Sequence, residues 1–282
     1  MLTGSPGDRA AAADVVADIR VARETTWDLD RAAVADRVDE LIAHPRRLRQ
    51  GRLNLCGPAA LVSLWLARDP VGVARYALDL YRYGWARLGE LTVVASRGLR
   101  ETPYGRFEAA TGSPQADWML LASLRDSANR LLCYDRLDGL YEKTAAITTA
   151  ATMRRWFMAF PAVVDLSDTT RRVRLPGTSG PRAALVPTPA ADRAVLLLVR
   201  QALFSSAPAS TPASGWRRMR DAVARHLPDH WVVLVDPLQD DGDTVRLRCW
   251  TWGSLREVRV PRAVFDVCYF GSLAVSLSPR EA

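Results

Sequence analysis

The feature that most constrains this chain is a change of hydrophobic period near residue 160. Before it, apolar residues recur at spacings of three and four; after it, they alternate. The first pattern predicts amphipathic helices over 8–22 and 28–43, the latter with Ala33, Val34, Val38, Leu41 and Ile42 near one face. A polar, arginine-rich loop follows. A helix is then expected from Pro58, since proline suits the first helical position. Further helices are expected from residue 70 to near Gly84, over 115–132 and over 152–160. Residues 171–190 are rich in turn formers and predict only a short strand, 191–204 predicts a mostly apolar helix, and 205–215 a low-complexity loop. Alternating strands are expected over 230–236, 244–252, 255–260 and 269–277, where valines and aromatics suit a sheet. Helices first and an antiparallel sheet last define an α+β class.

The 282 residues suffice for one large domain or two small ones, and 49% hydrophobic residues with nine tryptophans can build a substantial core. The net charge of +7 comes almost wholly from arginine, Lys143 being the only lysine. The arginines are scattered and no recognition motif accompanies them, so no nucleic-acid partner is expected. The N-terminus lacks the basic start and apolar core of a secretory signal, and the run Ala194–Val199 is far too short to span a bilayer. Synthesis in the cytoplasm is therefore expected, with no membrane span; export without a signal peptide would leave no trace in the sequence. Cys56, Cys133, Cys249 and Cys268 show no paired spacing, so neither a metal site nor a cofactor is expected, and their apolar surroundings suit reduced thiols.

The segment "RQGRLNLCGPAALVSLW" (49–65) carries the chemistry. A catalytic thiol needs a lowered pKa, a base and donors for a developing oxyanion. Cys56 at a helix head meets the first need, because first-turn N–H groups favour a thiolate. Gly57 would allow close approach of a substrate, and Gln50, six residues upstream, could aim its amide into the same hole. Of the three histidines, His44 lies at a helix end and His226 in a helix tail, whereas His230 opens a strand that could hold its ring. Asp236 shares a face with His230, but six residues of strand separate them by roughly 20 Å. Hairpin pairing puts His230 opposite about Trp250, or Thr251 if the register shifts by one. The ring could thus be held by Trp250 packing, by Thr251 or by a backbone carbonyl. Elsewhere, Asp117, Arg125, Asp126 and Asn129 are polar positions on one helix, where Asp117 is expected to cap it and Arg125 and Asp126 to form ion pairs. Trp65, Tyr76, Tyr81, Trp85 and Trp156 read as packing residues, and the acidic 236–243 segment as a hairpin turn.

A glutamine six residues before a Cys-Gly at a helix start, with a distant strand-opening histidine, resembles the papain-like cysteine hydrolases. Trp250-Thr251-Trp252-Gly253 matches that family's Asn-Ser-Trp-Gly segment in its last two positions. "NLCGPAALVSLWLARDP", "ADWMLLASLRDSAN" and "DHWVVLVDP…WTWG" together resemble uncharacterised bacterial papain-like proteins of the toxin or secreted-effector type. The resemblance implies an N-terminal helical extension over 1–48 and a papain-like domain over 49–282, with a helical Cys part (49–160) and a sheet His part (161–282). It implies Cys56 as nucleophile, His230 as base and Gln50 as oxyanion donor, with Asn54, Gly57, Trp231, Trp250, Thr251 and Trp252 lining the cleft. A protein or peptide substrate would follow, and for an effector an immunity protein or secretion partner. The departure is Trp250, which stands where the family orients its histidine with Asn or Asp. Deamidation or acyl transfer could use the same acyl-enzyme, and a non-catalytic interaction module is the alternative of a different class.

Overall fold

The computed structural model describes residues 5–103, 111–128, 148–171, 183–204 and 227–278. The chain forms two compact units: Met1–Val163 with Trp252–Ser254, and Val164–Thr251 with Leu255–Ala282. Helices dominate the first and an antiparallel sheet the second, a mixed α+β architecture. The 205–215 loop, most of the helix expected to carry His226 in its tail and the end of the 115–132 helix fall outside the described residues, as do Asn129 and Cys133.

In the first unit α1 (Pro6–Val21) opens with a reciprocal cap: Ser5 Oγ accepts from the Asp8 N–H while Asp8 accepts from the Ser5 N–H. Its buried Ala12, Val16 and Ile19 form a single stripe. In α2 (Arg31–Ala43) Asp30 caps the Ala33 N–H, and Val34, Ala35, Val38, Leu41 and Ile42 are buried. Ala33, expected on that face, is exposed, and Ala35 takes its place. Helix α3 (Cys56–Arg68) begins two residues before the expected start. Proline is tolerated anywhere in a first helical turn, so Pro58 occupies the third position and Cys56 the first. Every residue from Cys56 to Ala67 is buried, as befits a helix apolar on all sides. Helix α4 (Pro70–Tyr83) is capped by Asp69 and ends at Gly84, whose φ of 72° is left-handed.

An unanticipated hairpin follows, β1 (Trp85–Leu88) and β2 (Leu91–Val94). Alternation over only four residues cannot be told from a helical turn, so the sequence left it unmarked. Trp85, expected to pack, lies on its outer face and is 45% exposed, opposite Val94; Trp65, Tyr76, Tyr81 and Trp156 are buried. The described residues of the unit also form α5 (Arg97–Arg100), α6 (Gln115–Ala128) and α7 (Ala150–Ala159), with α6 packed against α2, α3 and α4.

The second unit contains β3 (Val163–Asp168), β4 (Arg193–Val199), β5 (His230–Leu234), β6 (Gln239–Asp240), β7 (Thr244–Thr251), β8 (Ser254–Pro261), α8 (Arg262–Cys268) and β9 (Tyr269–Leu277). The sheet order is β3-β9-β4-β5-β7-β6, with β8 paired to β7. The segment 191–204, expected to be a helix, contains β4 and then a single 3₁₀ turn at Gln201–Phe204. The reason is position: β4 is an interior strand, paired with β9 on one edge and β5 on the other, and Val195–Val199 are all buried, so both its faces are covered. A doubly covered strand reads as one continuous apolar run, whose period carries no information. Val195, Leu197 and Val199 share a core with Val232 and Leu234 of β5, Val245, Leu247 and Cys249 of β7, and Phe265 of α8. Among the described residues no helix is long and apolar enough to cross a membrane.

Candidate functional site

Cys56 and Gln50 belong to the first unit, His230 and Thr251 to the second. Cys56 is the first residue of α3, 6% exposed, and the cap residue Leu55 supplies no side-chain hydrogen bond. First-turn N–H groups cannot be satisfied within a helix, Pro58 has none, and the Ala59 N–H reaches the Leu55 carbonyl at 2.8 Å. The amides of Cys56 and Gly57 lie at this head, the end of a helix that favours negative charge.

Gly57 has a different purpose from the one expected. A Cβ there would lie 2.6 Å from Cβ, Cγ2 and Oγ1 of Thr148, so Thr148, not a substrate, occupies the space the glycine leaves. Gly57→Ala should therefore destabilise the protein by about 2 kcal/mol through overpacking. A chemical-denaturation midpoint identical to wild type would show that Thr148 moves aside without penalty.

The loop entering α3 is tied at several points. Asp117 of α6 is fully buried (0% exposed); its two oxygens accept Nε and Nη2 of Arg37 at 2.8 Å each, and Oδ2 also accepts the Arg49 N–H at 2.6 Å. Arg37 Nη2 also donates to the Arg47 carbonyl at 2.6 Å, and Ser113 Oγ donates to the Arg49 carbonyl. Beyond Gln50, Gly51 adopts φ 60° with the Thr111 carbonyl where a side chain would stand, and the Arg52 N–H donates to that same carbonyl. Gln50 is buried, and its Nε2 donates to the Leu53 carbonyl at 2.8 Å, which leaves the amide's second N–H to be aimed by the same bond. Burial pushes the Asp117 carboxyl above its ordinary value, with Arg37 pulling the other way; on Arg37, desolvation is outweighed by Asp117 and Glu40, so its guanidinium is held above the ordinary range. Asp117, expected to cap a helix, is thus a buried ion-pair partner. No local pattern signals this, because Arg37 is 80 residues away. Asp126 accepts from the Ser96 N–H.

His230 opens β5 and is 3% exposed. Its Nε2 lies 2.6 Å from Thr251 Oγ1, and the edge of its ring meets Phe204 with centroids 5.9 Å apart. Burial lowers its pKa to about 4, so the imidazole is neutral at pH 7. The register is not the one expected: Val233 pairs with Trp250 and Leu234 with Cys249. Strand side chains alternate, so Trp250 shares the face of Val233 while His230 shares that of Val232 and Leu234. Trp250 consequently points to the opposite side of the sheet from the imidazole. Thr251, on the face of Cys249, takes the partner's place. Trp231 and Trp250 are both buried, Asn54 and Trp252 half-buried. Trp252 (φ 50°) and Gly253 (φ 73°) are both left-handed, as a two-residue turn between β7 and β8 requires.

The remaining polar features have structural partners. His44 forms the C-terminal cap of α2, and Asp236 pairs with Arg248. In the acidic turn, Asp241 accepts from the N–H groups of Asp243 and Thr244. Among the described residues no group of three or more His, Cys, Asp and Glu could hold a metal ion. No protein-family model, curated protein or solved structure matches this chain.

Proposed function

We propose that the chain is a papain-like thiol hydrolase that cleaves a peptide, isopeptide or side-chain amide bond. In this reading His230 takes the Cys56 proton and the sulfur attacks the amide carbon. The carbonyl electrons move to oxygen, and the Cys56 N–H and the Gln50 amide donate hydrogen bonds to the oxyanion. The C–N bond then breaks as His230 returns the proton to the leaving amine. Water, deprotonated by the same imidazole, releases the acyl group and restores the thiol. With Nε2 engaged by Thr251, Nδ1 is the nitrogen that handles the proton, and the Thr251 hydroxyl stands in for the family's amide.

The observation that carries this reading is the head of α3: Cys56 is the first residue of a helix without a side-chain cap, and the loop just before it holds a buried glutamine amide by a hydrogen bond. The competing reading is a papain-like interaction module in which Cys56 and His230 only pack. It draws on the near-complete burial of both side chains and on the low basicity of His230.

Alkylation separates the two. Iodoacetamide should modify Cys56 ahead of Cys249, whose thiol burial pushes up to about 12, and ahead of the buried Cys268. His230→Ala should slow the Cys56 reaction by about tenfold or more. The bifunctional reagent 1,3-dibromoacetone should bridge Cys56 to His230, identified by mass spectrometry of the digest. Preferential modification of Cys249 or Cys268, or an unchanged Cys56 rate in His230→Ala with no bridge, would leave the interaction module as the reading.

A further inference from the structure

We infer that the buried Asp117–Arg37 pair is a positioning device for the Gln50 amide, an inference that rests on the thiol-hydrolase reading above. The hydrogen bonds of the pair go to the neighbours of Gln50 in the chain. They hold the backbone on the N-terminal side of it: Asp117 receives the Arg49 N–H, and Arg37 donates to the Arg47 carbonyl. On the C-terminal side the Thr111 carbonyl receives the Arg52 N–H, and the Gln50 side chain is tied to Leu53. The residue between these anchors can shift only by breaking one of them.

The choice of a buried ion pair has a physical logic. Apolar residues of similar volume can be as stable as such a pair, but they cannot direct an N–H or a carbonyl. The two-pronged Arg37 fork has a fixed plane, so the carboxylate it grips presents Oδ2 to Arg49 in one orientation. An oxyanion donor must be held to within about 0.5 Å and 10–20° to act, and this is a constraint that backbone hydrogen bonds can transmit.

The test compares two reactions at one thiol. N-acetylglycinal adds to a cysteine by forming an S–C bond while the aldehyde π electrons move to oxygen, so its adduct uses the oxyanion donors. Iodoacetamide forms an S–C bond and expels iodide, with no oxyanion. Asp117→Asn puts an NH2 donor where one of two acceptor oxygens stood, and Arg37→Lys keeps the charge but loses the fork. Each should weaken aldehyde binding by about tenfold and leave the alkylation rate within about twofold of wild type. Gln50→Ala should weaken aldehyde binding similarly, and adding Asp117→Asn to it should produce no further loss, since both remove one interaction. If Asp117→Asn does not fold, Arg37→Lys decides. Wild-type aldehyde affinity in the folded variants, a parallel fall in both reactions, or full additivity with Gln50→Ala would overturn the positioning role. Absence of a wild-type aldehyde adduct at Cys56 would instead remove the hydrolase reading, and this inference with it.

Discussion

Asp117→Ala is expected to destabilise the protein by about 4 kcal/mol. Asp117 is completely buried and accepts three hydrogen bonds, two from Arg37 and one from the Arg49 amide. Truncation removes the carboxylate but leaves its donors: Arg37, whose side chain is only 10% exposed, keeps its charge with Glu40 as the remaining counter-ion. A buried guanidinium that keeps only the half-buried Glu40 as counter-ion, together with the loss of its partner's hydrogen bonds, accounts for the magnitude. Arg20–Asp36, at a similar nitrogen–oxygen distance, is largely solvated, and Asp36→Ala should change stability by no more than about 0.5 kcal/mol. The double change Arg37→Met/Asp117→Leu removes both charges at once and should recover most of the loss. Urea denaturation followed by tryptophan fluorescence measures all four proteins. A small loss in Asp117→Ala would show that Arg37 relaxes out to solvent, and a double variant as unstable as the single would show that the energy lies in packing.

Acid should weaken this protein through His230 more than an ordinary histidine would allow. The unfolded imidazole titrates near 6.5, whereas burial lowers the folded one to about 4. Between those values the unfolded chain binds a proton that the folded chain excludes, so stability rises with pH across this window. His230's contribution is complete above pH 6.5, is lost as pH falls toward 4, and changes no further below it. The size is about 3 kcal/mol, at roughly 1.4 kcal/mol per pH unit. His230→Gln keeps a hydrogen-bonding group near Thr251 but cannot titrate. The stability difference between pH 7 and pH 4 should therefore be about 3 kcal/mol larger in wild type than in His230→Gln, with the carboxylates common to both cancelling. Equal pH dependence in the two proteins would mean that the folded imidazole protonates as easily as the unfolded one, which its contact with Phe204 and its burial argue against.

What could be read from the chain alone was whatever is local. Helices α1, α2 and α4 announce themselves by the spacing of their apolar residues, and α4 also by Gly84 at its end. Strands β5, β7 and β9 were legible from their β-branched and aromatic content, and the helix carrying Cys56 from its apolar run behind a proline. The thiol at a helix head and the histidine at a strand start are likewise local facts. The tertiary structure alone decided the rest. Leu196 and its neighbours form a strand because β5 and β9 flank them, and nothing within the run itself distinguishes that from a buried helix. Thr251 rather than Trp250 meets His230 because the β5–β7 register sets Val233 against Trp250, and a slip of one residue would exchange the faces. Asp117 and Arg37 come from helices 80 residues apart, and their pairing exists only once α2 and α6 pack. Caps and periodicity act over a few residues of chain, whereas register and buried charge pairing depend on which surfaces meet in space.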